Sequence, residues 1–316
     1  MKILHVLRGF RLPRDPTTES ASGIVRVALE LARAQSALNH SVTIACISPT
    51  PWRSTWERTQ LLGLRPMHWA CVSLGGKSVD LSHHLPFVLL TRDSPFDVVH
   101  DHGSGYMRWL RCGVRVAHFH SDPGFSGDRK ERFHLAPTDF ATICRHTDVR
   151  VAVSRFVAAE IERGMGQQQA VHIVSNGVDT DLYTPETWAA TRTDLRQSWG
   201  IGDQETVFLF AGALTRSKGL FPLAHAFNSI FKTVPSTHLV IAGSDRLWGN
   251  TVTRSTNSDE LETELRQLLE TSLKSSHVHF LGKVPLGHMP SLYAASDVVV
   301  VPSICREGFG LVALEA

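Results

Sequence analysis

Short apolar runs alternate with longer amphipathic ones along the whole chain, and midway the alternation stops and restarts. Ile3–Leu7, Val42–Ile47, Asp97–His100, Val114–Phe119, Val149–Val153 and Val171–Val174 read as strands. Gly23–Leu38, with Ile24, Val27, Ala28 and Leu31 on one face, reads as a helix, as does Arg155–Arg163 with Ser154 placed to cap it. A turn-rich segment follows, NGVDTDLYTP at Asn176–Pro185. Then come strands at Val207–Ala211, His238–Ala242, Val278–Leu281 and Val298–Val301. Helices are predicted at Lys218–Val234, Glu260–Leu273 and Met289–Ala295, with a polar loop at Thr251–Asn257. Strand–helix alternation of this kind predicts α/β architecture, parallel sheets covered on both faces. The restart predicts two Rossmann-like units, 1–184 and 185–316, with the boundary near Tyr183–Glu186. Ligands of open α/β sheets bind at the carboxyl ends of strands, so a cleft between two such edges is expected.

Length agrees with two domains, 316 residues being long for one. With 42% hydrophobic and 20% charged residues, the chain has the apolar content to fill two cores. A net charge of +2 implies no nucleic-acid or other polyanion partner. The five cysteines are scattered, with no CxxC pair, so neither a zinc knuckle nor a disulfide framework is predicted and a reducing cytoplasm is the simpler compartment. Arg8 arrives too early for a signal-peptide core, and no run approaches the ~20 apolar residues of a membrane span.

The densest chemical signal is EGFGLVALE at Glu307–Glu315. A Gly-Phe-Gly turn leads into a helical stretch, so the amides of Phe309, Gly310 and Leu311 are expected to point out of a helix start toward an anion. Glu315 on that helix has the chemistry to accept two vicinal ribose hydroxyls, and Glu307 in the loop can reach a sugar. The bland alternative is a pair of solvated glutamates flanking a buried turn. Lys218, just before Gly219 at a strand–helix junction, can pair with a diphosphate whose charge grows as a bond to it breaks.

The segment resembles the E-x7-E signature of the retaining glycosyltransferases of family 4, which have the GT-B fold. SNGVDTDLYTP is similar to the family's interdomain segment, and FAGALTRSKGL (Phe210–Leu220) to its G-R-L-x-x-x-K-G. HLVIAGS (His238–Ser244), VHFLGKVP (Val278–Pro285) and LYAASDVVVVPS (Leu292–Ser303) follow in the family's order. The resemblance implies that Glu307 contacts the donor sugar and Glu315 the ribose, and that Lys218 faces the diphosphate. Where the family carries a partner arginine this chain has Ala213, and Arg216 is the nearby substitute. Ser244, after Gly243 at a strand end, is expected close to the base or the phosphate, and Lys283 resembles the family position whose backbone reads the base edge.

In the first half, Ser22–Gly23 takes the place of the family's glycine-rich turn. It reads equally as a plain helix N-cap and as room for donor or acceptor. His120 matches a histidine near the transferred sugar. His118 shares its strand face, and His120 is preferred for its carboxyl-end position. His100 and His102 are expected to shape an acceptor pocket. Among 17 histidines any single one is more often structural, and the aspartates Asp97, Asp101 and Asp122 are too scattered for a metal, so no cofactor and no metal are expected. Arg8, Arg11, Arg14 and the run Arg129–Lys130–Arg132 read as solvated surface, with contact to an anionic membrane face as the minority reading.

The resemblance implies front-face, retaining transfer of a hexose-type sugar from a UDP-sugar or GDP-mannose to a glycan, a polyprenyl-linked glycan or a small alcohol, without a metal. The loops Phe10–Ser22 and Pro49–Arg58 are expected to select the acceptor. An epimerase of the same fold would need an acidic–histidine constellation. The other alternative is an inactive remnant or a nucleotide-sugar-binding protein. It follows from the family comparison itself, in which further strand–helix units lie beyond the position of Ala316, so the second sheet is expected to lack strands and expose an edge.

Overall fold

The computed structural model describes residues 1–74, 77–103, 107, 109–121, 145–165, 170–244 and 258–316. The polar loop expected at Thr251–Asn257, Asp122 and the basic run Arg129–Lys130–Arg132 lie outside them. The chain divides into two compact units, Met1–Asp15 with Ala21–Asn176, and Pro16–Ser20 with Gly177–Ala316. The change of unit falls at the Asn-Gly step that begins the turn-rich segment.

In the first unit, in chain order, the described elements are β1 (Lys2–Leu7), α1 (Gly23–Ala37), β2 (Ser41–Ile47), β3 (Trp52–Trp56), β4 (Thr59–Leu64), β5 (Cys71–Leu74), β6 (Lys77–Asp80), α2 (Leu85–Asp93), β7 (Phe96–Asp101), β8 (Cys112–Phe119), β9 (Val149–Ala152), α3 (Arg155–Met165) and β10 (His172–Ile173). Eight strands form one sheet in the order β10-β9-β8-β7-β1-β2-β4-β3. Neighbours run parallel except β3 and β4, an antiparallel hairpin. The segment Pro49–Arg58, expected as a loop, therefore contains the edge strand of this sheet. Its two prolines and polar WRSTW pattern hide a strand that is only half covered. A second hairpin, β5 with β6, stands apart. The core packs Leu4, Val6, Ala45, Leu62, Val99 and Ala117 of the sheet against Phe87 of α2, with Met107 and Leu110. Ser154 caps α3 as its sequence predicts, accepting the Val157 amide at 3.2 Å.

The second unit continues with α4 (Ala189–Ser198), β11 (Thr206–Ala211), α5 (Leu220–Thr233), β12 (Thr237–Ala242), α6 (Ser258–Leu268), α7 (Glu270–Lys274), β13 (Val278–Gly282), α8 (Met289–Ala294), β14 (Val298–Val299) and α9 (Leu311–Glu315). Its sheet is parallel throughout, in the order β13-β12-β11-β14. Alternate side chains go to opposite faces. Phe210, Leu239, Ile241 and Val278 meet Leu220, Leu223 and Phe227 of α5 and Leu265 of α6. Val207, Leu209, Ala211, Val240 and Ala242 meet Met289, Leu292 and Tyr293 of α8 on the other side. Cover on both faces is what turns these strands into continuous apolar runs. The charged helix expected over Glu260–Leu273 is two helices broken at Leu269, which is fully buried. The helix expected from Lys218 starts at Leu220, because Gly219 takes a left-handed backbone, φ +74°.

Candidate functional site

Parallel strands deliver their carboxyl ends to one edge, and in the second unit that edge is built from glycines. Gly212, Gly243 and Gly282 follow β11, β12 and β13, all at positive φ. A Cβ on Gly243 would lie 1.7 Å from the Gly212 carbonyl oxygen, and one on Gly219 would lie 1.9 Å from the Pro302 oxygen. The backbone segments therefore touch directly, which only glycine permits. The Gly243 amide donates to the Gly282 carbonyl at 2.7 Å, and the Leu214 amide to the Ser244 carbonyl at 3.3 Å. The amides of Ile304 and Cys305 both donate to the Ser217 carbonyl. The loops after all four strands are thus knitted together, and they carry Lys283, Ser244, Lys218 and Glu307 on one rim.

Lys218 sits in a single 3-10 turn at Arg216–Lys218 and donates from Nζ to Glu307 Oε1 at 2.5 Å. Ser303 Oγ donates to the same oxygen at 2.6 Å. Partial burial pushes the Glu307 carboxyl upward. The hydrogen bonds from Lys218 and Ser303 and the lysine charge outweigh it, so the group ends below its ordinary value and stays ionised. Glu307 is therefore held as half of an ion pair. Glu315 is also not solvated: it is 5% exposed, and Oε2 accepts the Tyr293 hydroxyl at 2.6 Å. Both facts overturn the reading of two solvated glutamates. A ribose at Glu315 would share the carboxylate with Tyr293.

Gly310 adopts φ +83° and precedes α9 directly, and the amides of Phe309, Gly310 and Leu311 make no hydrogen bond among the described residues. Arg216 points its guanidinium at Glu264 of α6, 2.5 Å away, with the Phe221 ring 4.4 Å beneath. In this conformation it is committed to α6, whereas Lys218 engages Glu307. Lys283 is exposed directly after Gly282.

The first unit has its own carboxyl edge. Gly23 opens α1 behind Ser22, whose backbone has N-cap geometry but whose hydroxyl caps nothing and is buried without a partner. Beside it the sheet gathers histidines. His5 on β1 pairs in register with His100 on β7. His102 and His120 follow the ends of β7 and β8, and His118 lies on β8. The rings of His100 and His102 stack at 4.4 Å, and those of His118 and His120 lie 4.2 Å apart. Hydrogen bonds join His5 Nδ1 to His102 Nε2 at 2.8 Å, His102 Nδ1 to His120 Nε2 at 3.0 Å, and His100 Nε2 to His118 Nδ1 at 3.1 Å. Burial first, and the neighbouring imidazoles with it, hold His100, His102 and His120 well below the usual histidine value. Burial brings His5 and His118 to about 4. Near neutral pH the five are uncharged.

The sequence shows this cluster only as two H-x-H pairs, at 100/102 and 118/120. Their meeting depends on β7 lying between β1 and β8, which composition cannot reveal. Arg8, expected at the solvated surface, is buried with its charge on Asp101 at 3.1 Å. Its own short stretch carries no sign of that partner.

Residues 21–182 match the family Glycosyltransferase Family 4, and residues 191–316 match Glycosyl transferases group 1. The chain is 29% identical over 188 residues to the GDP-mannose-dependent alpha-(1-6)-phosphatidylinositol monomannoside mannosyltransferase of Mycolicibacterium smegmatis, a match over 58% of this chain and 45% of that protein. It is 29% identical over 234 residues to the D-inositol 3-phosphate glycosyltransferase of Corynebacterium urealyticum, covering 70% of this chain and 53% of the relative. The chain thus spans about half the length of these relatives. Among solved structures, the Anabaena protein HepE in complex with UDP-glucose superposes with a TM-score of 0.71 at 17% identity, over 100% of this chain and 78% of that one. The sucrose-phosphate synthase of Thermosynechococcus elongatus gives 0.74 at 17%, with the same coverages of 100% and 78%. The two Rossmann-like units have the GT-B fold, and the chain belongs to Glycosyltransferase Family 4.

Proposed function

We propose that the chain is a retaining hexosyltransferase that takes its sugar from a UDP-sugar or GDP-mannose. The Lys218–Glu307 pair carries the proposal. A lysine held by one carboxylate on a rim of close-packed glycines has its charge ready to pass to an incoming diphosphate. Glu307, released from it, takes sugar hydroxyls. Ser244, Lys283 and the amides of Phe309, Gly310 and Leu311 complete the donor contacts, with Glu315 on the ribose and Arg216 swinging from Glu264 to the phosphates. Lys218 and those amides stabilise the leaving diphosphate, so transfer needs neither a strong protein base nor a metal. His120, neutral, hydrogen-bonds the sugar, and the buried Ser22 hydroxyl with Gly23 lines the acceptor side. The relatives' names support a glycan, a lipid-linked glycan or a small alcohol such as an inositol phosphate as acceptor. We read the protein as cytoplasmic, with peripheral contact at the inner membrane face if the acceptor is lipid-linked. No helix among the described residues is long and apolar enough to cross that membrane.

Calorimetric titration with UDP and with GDP tests the donor site. One nucleotide is expected to bind saturably, and Lys218→Ala to weaken it by about 10–100-fold, the worth of one charge-assisted hydrogen bond. Unchanged affinity in that variant would remove the diphosphate assignment. Release of UDP or GDP from the matching nucleotide sugar, dependent on added acceptor, separates a transferase from a protein that only binds the donor.

A further inference from the structure

The five-histidine cluster exceeds anything the transfer reaction asks of it. Two overlapping triads, His5/His100/His102 and His102/His118/His120, each bring one ring nitrogen per residue to within 4.8 Å of the others. We propose that His102, His118 and His120 form a binding site for a borderline divalent transition-metal ion of the Zn²⁺ kind, with His5 and Gln35 as its outer shell.

Four observations select this triad and this ligand class. The Nε2 atom of His118 is buried and has no hydrogen-bond partner among the described residues, in a side chain whose other nitrogen faces His100. A buried ring nitrogen without a partner is destabilising, and a cation is a partner to which its lone pair can donate. Second, the outer contacts fix the tautomers. His5 Nε2 donates to Gln35 Oε1 at 2.7 Å, so His5 Nδ1 accepts from His102 Nε2, which leaves the lone pair of His102 on Nδ1. That atom accepts from His120 Nε2 at 3.0 Å, so a bound ion takes the place of the shared proton and His120 then carries its proton on Nδ1. Tetrahedral zinc with nitrogens at about 2.0–2.1 Å sets them about 3.3 Å apart, so this pair stands near chelating distance and a ring rotation brings in His118.

Third, the ligand set is imidazole alone. Asp101, on the same strand as His100, is held by Arg8 and by the Gly103 amide, and an all-nitrogen site favours zinc, copper or nickel over magnesium or calcium. Fourth, each triad has one half-buried member, His120 here and His100 in the other, but of the five histidines only His118 has a buried ring nitrogen without a hydrogen bond among the described residues, and it belongs to this triad alone. The chain Gln35–His5–His102 then does what outer-shell groups do, fixing the tautomer and the direction of a ligand. The site shares His120 with the transferase reading, and its other residues, all in the first unit, stand outside the donor contacts.

The test uses the full chain without an oligohistidine tag, stripped with chelator and titrated with Co²⁺, then Zn²⁺. One equivalent of Co²⁺ is expected to give the strong visible bands of a four-coordinate ion, bleached by one equivalent of Zn²⁺. His118→Ala and His120→Ala should each abolish the bands. His5→Gln, altering only the outer shell, should weaken binding by about 10–100-fold. His225→Ala, in the second unit, should leave it unchanged. His118→Gln, closer in size, guards against a folding defect, and circular dichroism confirms each variant's fold. The proposal is overturned by absence of saturable uptake, by uptake undiminished in both His118 variants, or by binding that survives His120→Ala but not His5→Ala, which would place the ion on the other triad.

Discussion

At the residue scale the pair Lys218–Glu307 sets how the candidate donor site answers to pH. The folded carboxyl titrates below its ordinary value of 4.5, so Glu307 adds stability that is present above that value and lost as pH falls through the lower, folded one. From pH 8 down to pH 5 nucleotide affinity should therefore show no step traceable to Glu307. A step in that range that vanishes in Glu307→Gln would show that the lysine does not hold the carboxylate. Glu307→Gln itself should retain nucleotide diphosphate and lose the sugar's contribution, so UDP or GDP and the matching nucleotide sugar should bind with nearly equal affinity in the variant. At Gly243 the constraint is steric. Its φ of +151° and the 1.7 Å approach of the Gly212 oxygen leave no room for Cβ. Gly243→Ala should lower the unfolding midpoint by a strain of about 1–3 kcal/mol plus the displacement of β11 from β12. A midpoint within experimental error of the parent would show that the strand ends are not locked together there.

At the element scale Arg196 of α4 is the least expected residue. It is 1% exposed, and its guanidinium donates to the carbonyls of Ala295, Gly202 and Glu205 and to Asp297 at 3.1 Å. One side chain thus fastens α4 to the end of α8 and to the entry of β11. Arg196→Met should cost about 2–3 kcal/mol in denaturant unfolding, the low end for a buried pair, since Asp297 retains contact with water. A loss under about 0.5 kcal/mol would mean those carbonyls find other partners. The α4 segment shows why parts of the fold were not legible beforehand. AATRTDLRQS has one large apolar residue, so no helical stripe announces it, and its burial comes from a charged side chain. Strands such as β11 and β12 were legible because VFLFA and HLVIA are buried on both faces, whereas β3, β4, β5 and β6 were not read from the sequence. The start of α3 was legible because Ser154 caps locally. Lys218, Glu307 and Glu315 could be named from their motif, but not the half-burial of the first pair or the Tyr293 hydroxyl on Glu315. Those come from loops of different strands meeting at one rim. The histidine cluster was hidden for the same reason: each H-x-H was visible, the strand order was not.

At the scale of the whole molecule the two units carry different chemistry on similar scaffolds. Each is built on a sheet, mostly parallel in the first unit and parallel in the second, whose carboxyl edge holds the polar groups: neutral imidazoles in the first, a lysine–glutamate pair on glycine turns in the second. A ligand that binds only the folded state stabilises its site by RT ln(1 + [L]/Kd), about 2.7 kcal/mol at a hundredfold excess over Kd. Because opening is local, that stabilisation should appear first where the ligand sits. Amide hydrogen exchange with saturating nucleotide should therefore slow at Ala211–Lys218, Ala242–Ser244 and Ser303–Leu311. Exchange with saturating Zn²⁺ should slow instead at Leu4–Leu7, Val99–His102 and Ala117–His120. The two patterns should not exchange places: nucleotide protection confined to the histidine strands would move the donor to the first unit, and zinc protection at the glycine rim would place the ion on Glu307 rather than on imidazoles. The first set is especially diagnostic at Phe309, Gly310 and Leu311, whose amides make no hydrogen bond among the described residues and gain one when a phosphate occupies them.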